Sequence, residues 1–404
     1  MLYPPALFTS VWLVALVGLA LSANMFYPIS DASILIYIIG GLSFSAGGFL
    51  VALGSAATGL GTTRRFLPRW RVHRALLLVV VVSVLLLPLY GYYLQQVRAA
   101  GPGGADIWQE FRSGAMAVND LPGGGPLWFL ASAVPLFSVF ALIAVYEYSR
   151  TKQRLLLTMA VVVSALLYNT LSTSRSDLLL LILGILGIIW IRMPRAAMKI
   201  TVLSALLFGS LSVVNQVMLG KMGADPTAPI TRNAAPVVDG FTSYAVGSLV
   251  AFDYVVHHPT AVPDQWMLDK FFIRTANKFG AGLKEPSQNL EYTNVSPYLV
   301  TNVYTIYFAF FLPYGYTGVV LIMAALGAFT TFVYCRAIRG SPVAILLYSA
   351  LLFPIVMSVF AEEFFSQLGF WLKLLVVAGA IYWMPTYSLQ RRERNDCLGE
   401  PRCA

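Results

Sequence analysis

Residues 75–96 read ALLLVVVVSVLLLPLYGYYLQQ, a run of 22 residues without a charged side chain. An α-helix needs about 20 apolar residues to cross the roughly 30 Å of hydrocarbon in a bilayer. Further long apolar runs lie on both sides of this stretch, unlike the alternating ten-residue strands of an outer-membrane barrel. The stretch therefore predicts an all-α, polytopic helical membrane protein.

The composition of the whole chain indicates the same class. Of its 404 residues 58% are hydrophobic and 11% are charged, and the mean hydropathy is +0.73. Soluble domains carry about 25% charged residues. The hydrophobic pattern predicts ten spans, at residues 6–23, 33–57, 75–96, 127–147, 155–172, 176–191, 200–219, 315–335, 342–360 and 366–386. The chain thus divides into seven spans within 1–219, a polar segment at 220–314 and three spans within 315–386.

Basic residues predict the orientation of these spans. Most of the 27 lysine and arginine residues follow the second, fourth, sixth, eighth and tenth spans. If the spans alternate, all five basic segments fall on one side, which the positive-inside rule makes cytoplasmic. Both termini and the tail 387–404 are then cytoplasmic, while loops 97–126 and 220–314 lie outside. The net charge of +9 is explained by topology, so it does not indicate a nucleic-acid partner.

The polar segment 220–314 carries its own helical patterns. Apolar residues at helical spacing predict an amphipathic helix that ends before Pro259. A second helix is predicted from Asp264 to Phe279, and a third from Ser296 to about Leu312, where a serine cap precedes a proline. Tyr298, Asn302 and Thr305 share a face of the third helix and form a polar row that fits either packing or sugar hydroxyls.

The second of these helices presents a basic stripe. Lys270, Arg274 and Lys278 are spaced i, i+4, i+8, so they line one face. Such a stripe can bind a lipid-linked diphosphate. It can equally lie among the headgroups of membrane lipid, as an interfacial helix does.

The tight turn 171–177 reads LSTSRSD and predicts an anion site. Ser174 or Ser176 can cap the sixth spanning helix, which places Arg175 at a helix N-terminus on the outer face. Free N–H groups and a guanidinium together suit a phosphate or diphosphate. The alternative is that Arg175 pairs with Asp177 or reaches to lipid headgroups.

Several titratable side chains fall on the same predicted face. The candidates for a general base are His257, His258, Asp239, Asp253, Glu362 and Glu363, and their spacing does not choose among them. Lys373 lies inside the last span, where a charge is costly and is treated as functional unless a carboxylate such as Glu362 or Glu363 neutralises it.

The segment 302–318 resembles a known family. It reads NVYTIYFAFFLPYGYTG, and its Asn-Val-Tyr-Thr start and Pro-Tyr-Gly end are similar to the C-terminal signature of oligosaccharide repeat-unit polymerases, the O-antigen polymerases of Gram-negative bacteria. The Ser-Arg-Ser turn at 174–176 and the architecture, with a late periplasmic loop, resemble that family too. An arginine-x10-glycine pattern of these polymerases occurs at Arg112, but Arg232 and Arg274 lack the glycine.

The resemblance implies a glycosyltransferase with a GT-C-like fold in the bacterial inner membrane. A growing glycan on undecaprenyl diphosphate is passed, in the periplasm, to an incoming lipid-linked repeat unit. No nucleotide cofactor is needed, because the diphosphate is already a leaving group. No Asp-x-Asp motif marks a metal site on the outer face, which favours a metal-independent reaction. The resemblance further implies an inverting transfer. A chain-length regulator is a further partner that the resemblance implies.

The site that follows from these arguments has two parts. The predicted catalytic residues are Arg175, Arg274, His258 and Glu363. The predicted substrate-binding residues are Arg112, Arg232, Lys270, Lys278, Asn302 and Tyr304. An O-antigen ligase, which moves the finished glycan to lipid A core, remains an alternative, as does a lipid-linked oligosaccharide flippase, which is not an enzyme. The flippase expects internal repeats and charges along a central path, whereas the spans here are nearly free of charge.

Overall fold

A computed structural model describes residues 3–57, 69–100, 128–152, 154–172, 175–218, 238, 240, 242–244, 246–258, 270–284 and 292–383. The described helices are α1 (Pro4–Leu21), a 3₁₀ helix (Ala23–Met25), α2 (Asp31–Ala57), α3 (Arg69–Ala100), α4 (Trp128–Thr151), α5 (Leu155–Leu171), α6 (Arg175–Arg192), α7 (Pro194–Met218), α8 (Gly247–His257), α9 (Lys270–Lys278), α10 (Phe308–Ile338), α11 (Pro342–Met357) and α12 (Leu368–Trp383). Two short strands, β1 (Thr293–Asn294) and β2 (Val300–Thr301), complete the described elements.

A helix is present at each of the ten predicted spans. Five of the described helices contain stretches that are long and apolar enough to cross a membrane: Pro4–Leu21, Asp31–Ser55, Val72–Ala99, Ala133–Arg150 and Phe308–Ile338. α5, α11 and α12 are shorter apolar helices. The prediction of an all-α membrane protein is therefore confirmed, while the number of spans and their orientation stay predictions.

α11 lies at the centre of the bundle. Every residue from Ile345 to Ile355 is buried, as expected for a helix that is apolar on all sides and enclosed by others. It packs against α6, α10 and α12. The outer helices instead expose large aliphatic side chains, such as Leu13 on α1 and Leu85 on α3, as helices that face lipid do.

Among the described helices, α2 and α10 have the most extensive contact. At their contact Gly47 of α2 lies against the carbonyl of Ala324, and Gly327 of α10 lies against the carbonyl of Phe44. Glycine is required at both places, because a Cβ atom would overlap the partner's backbone. α10 also bends at Gly315, whose φ of 59° is favoured by glycine.

Basic residues gather where the ends of several helices meet. Glu147, near the end of α4, accepts a hydrogen bond from the Tyr382 hydroxyl at 2.9 Å, and its carboxylate lies 3.8 Å from Arg150. The guanidinium of Arg192, at the end of α6, lies over the Tyr146 ring at 5.8 Å. The C-terminal ends of α4, α6 and α12 thus share one end of the bundle, as the prediction of alternating spans requires.

The prediction of a third helix in the polar segment, from Ser296 to about Leu312, is wrong. Thr293 pairs with Thr301 and Asn294 with Val300 in a two-stranded antiparallel ladder, and α10 begins only at Phe308. The segment therefore contains a β-hairpin where the serine–proline pattern predicts a helix start.

The serine cap is real, but it closes a turn. The Ser296 hydroxyl accepts the N–H of Leu299 at 2.9 Å, within the bend that joins the two strands. Local serine-to-backbone bonds stabilise turns as well as helix starts. Tyr298, Asn302 and Thr305 accordingly share no helical face: Tyr298 is 92% exposed, whereas Thr305 is buried.

The other two predicted helices of the polar segment are present. α8 ends at His257, before Pro259, as expected. It is more buried than an amphipathic helix, since all residues from Gly247 to Phe252 are enclosed. α9 ends at Lys278 and is followed by Gly280 in a left-handed conformation, which confirms the predicted stop. Its predicted start at Asp264 lies outside the described residues.

Candidate functional site

Three connections and one short helix meet at one end of the bundle. They are the α1–α2 connection at 22–30, helix α8, the hairpin with its extension at 292–307, and the α11–α12 connection at 358–367. We call this assembly the connection layer. It contains most of the polar and titratable side chains that the sequence predicts to be functional and that the structure describes.

Backbone hydrogen bonds hold the connection layer together. The N–H of Tyr27, between α1 and α2, donates to the carbonyl of Val295 in the hairpin at 3.0 Å. The N–H of Ile306, just before α10, donates to the carbonyl of Ser358 at the end of α11 at 2.8 Å. The first bond fixes segments that lie more than 250 residues apart in the sequence, and the second joins the start of α10 to the end of α11.

An aromatic cluster supports the layer from below. The Trp12 ring lies 4.8 Å from the Tyr307 ring and 5.3 Å from the Tyr37 ring, and its indole N–H donates to the Ser358 hydroxyl at 3.0 Å. The Tyr37 hydroxyl donates to the carbonyl of Leu249 on α8 at 2.8 Å. The cluster ties α8 to α1, α2 and α10.

Asp253 joins α8 to the start of α2. Its Oδ1 accepts the backbone N–H of Ser30 at 2.9 Å and the Ser30 hydroxyl at 2.5 Å. Ser30 directly precedes α2, so the carboxylate lies against a helix N-terminus, where the backbone dipoles favour negative charge. The Asp253 side chain is only 15% exposed. The start of α2 thus holds the carboxylate of Asp253, and a small part of the side chain remains exposed to solvent.

His257 lies one turn further along α8. Its Nδ1 is 2.9 Å from the carbonyl oxygen of Asp253 and 3.9 Å from Oδ2 of the same residue. The side chain is 49% exposed. An imidazole that contacts a fixed carboxylate on one side and solvent on the other is the arrangement found in many acid–base sites.

His258, the histidine in the predicted catalytic set, has different surroundings. Its Nδ1 is 3.0 Å from the carbonyl oxygen of Tyr254, and its ring stacks on the Tyr254 ring at 4.5 Å between centroids. In the described part of the chain no carboxylate lies within ion-pair distance of it. Its role in catalysis stays a prediction.

Glu362 and Glu363 occupy the α11–α12 connection. The Glu362 carboxylate is buried and accepts the N–H groups of Phe365 at 2.8 Å and Ser366 at 3.1 Å, and the Ser366 hydroxyl at 3.2 Å. Burial raises the pKa of Glu362 above its ordinary value, and these hydrogen bonds oppose the shift. Glu362 is thus a buried turn cap that retains a carboxyl group with altered acidity.

Glu363, which the sequence places in the catalytic set, lies beside this cap. It is 9% exposed, and its Oε2 accepts the side-chain N–H of Gln367 at 3.1 Å. Lys373 is half-buried on the second turn of α12. The hydrogen bonds of Glu362 are all with its own connection, so the pairing predicted for Lys373 with this residue finds no support among them.

α9 places Arg274 close to the same connection. The Phe271 ring, one turn before Arg274, packs against Gly369 at the start of α12, where an added methyl group would touch it at 3.4 Å. Arg274 itself is half-buried. Lys270 and Lys278 occupy the first and last positions of α9, and their side chains lie outside the described atoms.

The remaining predicted site residues fall into three groups. Asn302 is half-buried beside the hairpin, and Tyr304 is buried, with its hydroxyl 2.6 Å from that of Thr293. Arg175 is the first residue of α6, at the predicted helix N-terminus, but its side chain is not described. Arg112 and Arg232, like the proposed base Asp239, lie outside the described residues.

Ser30 is the residue that sequence reasoning missed. Ser30 is in neither the predicted catalytic set nor the predicted substrate-binding set. It nevertheless directly precedes α2 and fixes the carboxylate of Asp253. The signal that links Asp253 to His257 was present as an i, i+4 spacing on a predicted helix. The described residues contain no cluster of three or more His, Cys, Asp or Glu side chains that would suit a metal ion.

Comparison with models of protein families, with curated proteins and with solved structures found no match to this chain.

Proposed function

We propose that the protein is an O-antigen polymerase, a membrane-embedded glycosyltransferase of the bacterial inner membrane. It transfers the growing glycan from undecaprenyl diphosphate to the terminal sugar of an incoming lipid-linked repeat unit, on the periplasmic face. The observation that carries the proposal is the connection layer. It joins the polymerase-like segment 302–318 to Ser358, four residues before the Glu362–Glu363 pair, at one end of an apolar bundle.

The chemistry of the layer supports a transfer between two lipid-linked substrates. Breaking the bond to the diphosphate leaves negative charge, which arginine and lysine side chains stabilise when water is excluded. Arg274 on α9 lies beside the layer, with Lys270 and Lys278 on the same helix, and Arg175 begins α6. The acceptor hydroxyl must lose a proton, and Asp253, His257, His258 and Glu363 offer bases.

The membrane position of the layer supports the same class of substrate. It sits on helices whose exposed side chains are aliphatic, so a polyprenyl tail can approach from the side while its head group reaches polar residues. In this proposal Asn302, with Arg112 and Arg232 from the predicted loops, contributes to glycan and diphosphate binding, while the buried Tyr304 holds the hairpin in place, and no metal takes part.

Deletion of the gene in its host tests the proposal through the banding pattern of lipopolysaccharide on a gel. We expect the ladder to collapse to core plus a single repeat unit and to return when the gene is supplied on a plasmid. Loss of every O-antigen band, including the single-repeat band, contradicts the polymerase and favours a ligase or a flippase. An unchanged ladder also contradicts it.

A further inference from the structure

The two adjacent histidines at the end of α8 can be compared directly. Nδ1 of His257 contacts the carbonyl oxygen of Asp253, and Nδ1 of His258 contacts that of Tyr254. A carbonyl oxygen only accepts hydrogen bonds, so Nδ1 carries the hydrogen in both neutral rings. The lone pair of each ring is then on Nε2, which is the atom available to receive a proton.

Among the residues that the structure describes, His257 has a carboxylate next to its Nδ1 and His258 does not. Oδ2 of Asp253 lies 3.9 Å away, while Oδ1 is occupied by the two hydrogen bonds from Ser30. When Nε2 takes a proton the ring becomes positively charged, and a fixed carboxylate on the opposite side stabilises that charge. His258 stacks on Tyr254 and lacks this arrangement among the described residues.

The position of His257 suits a substrate at the membrane surface. α8 is tied to α2 twice, through Leu249 to Tyr37 within the helix and through Asp253 to Ser30 at its start. His257 is one helical turn, about 5.4 Å, beyond Asp253 and so lies past the start of α2. Its side chain is also 49% exposed, so a substrate can reach the imidazole from outside the bundle.

We propose that His257 is the general base of the transfer and that Asp253, held by Ser30, positions and stabilises it. This inference rests on the proposed function. The acceptor hydroxyl gives its proton to Nε2 of His257, and its oxygen forms the new bond to the anomeric carbon of the donor glycan. The bond from that carbon to the diphosphate breaks with both electrons on the diphosphate, which leaves on its lipid. The proton passes from Nε2 to water after the product departs.

A purely structural role for the same residues makes different predictions. Histidines in the last turn of a helix bond to free carbonyls and interact favourably with the helix dipole. His257 and His258 share that role. It affects the stability of the protein and not the rate at which bound substrate reacts. A base, in contrast, affects kcat and can be replaced by a small base from solution.

The experiment uses the purified full-length protein in proteoliposomes, with undecaprenyl-diphosphate-linked repeat units from the host as substrate. The products are counted as a glycan ladder. We expect His257→Ala to lower kcat by about 100-fold or more with little change in KM, since a positioned base contributes about 10²–10⁴. Added imidazole restores part of the rate, because the half-exposed position leaves room for it. His257→Gln, which keeps a side chain of similar length, should show the same loss.

Two further variants separate the roles. Asp253→Asn keeps an oxygen for Ser30 but removes the charge, so it should lower kcat while the thermal unfolding temperature changes little. His258→Ala is the rival: a loss in this variant, with activity retained in His257→Ala, overturns the proposal. Retained activity in both His257 variants overturns it too, while polymerisation by the wild-type protein leaves the proposed function intact. If the wild-type protein forms no polymer from these substrates, both the function and this inference are contradicted.

Discussion

The α2–α10 helix pair and the connection layer adjoin each other but are stabilised in opposite ways. In the helix pair Gly47 and Gly327 bring two backbones into contact, with no side chain between them. In the connection layer hydrogen bonds from Ser30, Tyr27 and Ile306 join segments that do not otherwise pack as helices. The difference teaches that one part depends on shape alone, while the other depends on polar groups that also remain open to chemistry.

The largest loss of stability is expected from a substitution in the α2–α10 helix pair. Between membrane helices the driving force is close packing, and small residues permit it. Replacing Gly327 with alanine puts a Cβ atom onto the backbone of Phe44, which cannot rotate away. We expect a loss of about 3 kcal/mol, the upper part of the range for overpacked cores. The loss of stability is measured by heating the detergent-solubilised protein and determining, by size-exclusion chromatography, how much remains folded at each temperature.

The control for this substitution lies on α2 itself. A Cβ atom at Gly41 would meet nothing within 4 Å, so Gly41→Ala should leave the unfolding temperature unchanged or raise it slightly through helix propensity. If Gly327→Ala is as stable as Gly41→Ala, the two backbones do not depend on glycine and the comparison with the connection layer fails.

The next largest effect is expected in the layer, at Asp253. Asp253→Ala removes the acceptor of two hydrogen bonds from Ser30 and leaves the start of α2 without its partner. Hydrogen bonds to a charged group contribute about 1.5–3 kcal/mol, so we expect a loss of about 2 kcal/mol. Asp253→Asn, which retains an acceptor, should lose clearly less. Equal losses in the two variants would mean that charge, rather than the hydrogen bonds to Ser30, stabilises this contact.

The sequence predicts the helix pair and the layer unequally well. Long apolar runs locate all ten bundle helices, because burial in a membrane requires a length that can be counted. The same runs contain many glycines, and nothing in the spacing distinguishes Gly47, which touches a backbone, from Gly41, which does not. Close approach depends on the partner helix, which a single sequence does not specify.

In the polar segment local patterns are ambiguous for a physical reason. Ser296 followed by Pro297 suits the start of a helix and the turn of a hairpin equally, and the choice depends on the pairing of Thr293 with Thr301. His257 and His258 likewise differ only through Asp253, whose orientation is set by Ser30, more than 220 residues away in the chain. Candidate residues were therefore found by type, whereas their roles depend on contacts across the fold.

A smaller effect, and one that depends on pH, is expected at Glu362. Burial raises its pKa above the ordinary value of 4.5. Below pH 4.5 the carboxyl is protonated in both folded and unfolded chains; as the pH rises, the unfolded chain ionises first and is favoured. Wild-type protein should thus lose stability relative to Glu362→Gln between pH 4.5 and the raised pKa, and the difference should then level off.

Unfolding temperatures of the two proteins across this range measure the effect. Phe365 donates to Oε1 and Ser366 to Oε2, so glutamine keeps an acceptor for only one of these N–H groups. That loss is the same at every pH, so the part of the difference that changes with pH isolates the charge. A constant difference at all pH values would show that Glu362 is not a buried acid in the folded protein.

The smallest change in stability is expected at Tyr304. A substitution there tests whether the hairpin only supports the connection layer or also binds substrate. Its hydroxyl lies 2.6 Å from that of Thr293, and its ring stacks on Phe308 at 4.6 Å, all within a buried environment. Tyr304→Phe should lower stability by about 1 kcal/mol, the usual contribution of one hydrogen bond. Tyr298→Phe, on the exposed turn of the same hairpin, serves as the control for stability. A raised KM for the lipid-linked repeat unit in Tyr304→Phe, without a lower unfolding temperature, would instead assign the hydroxyl to the glycan. The hairpin would then bind substrate directly, rather than only holding the connection layer in place around it.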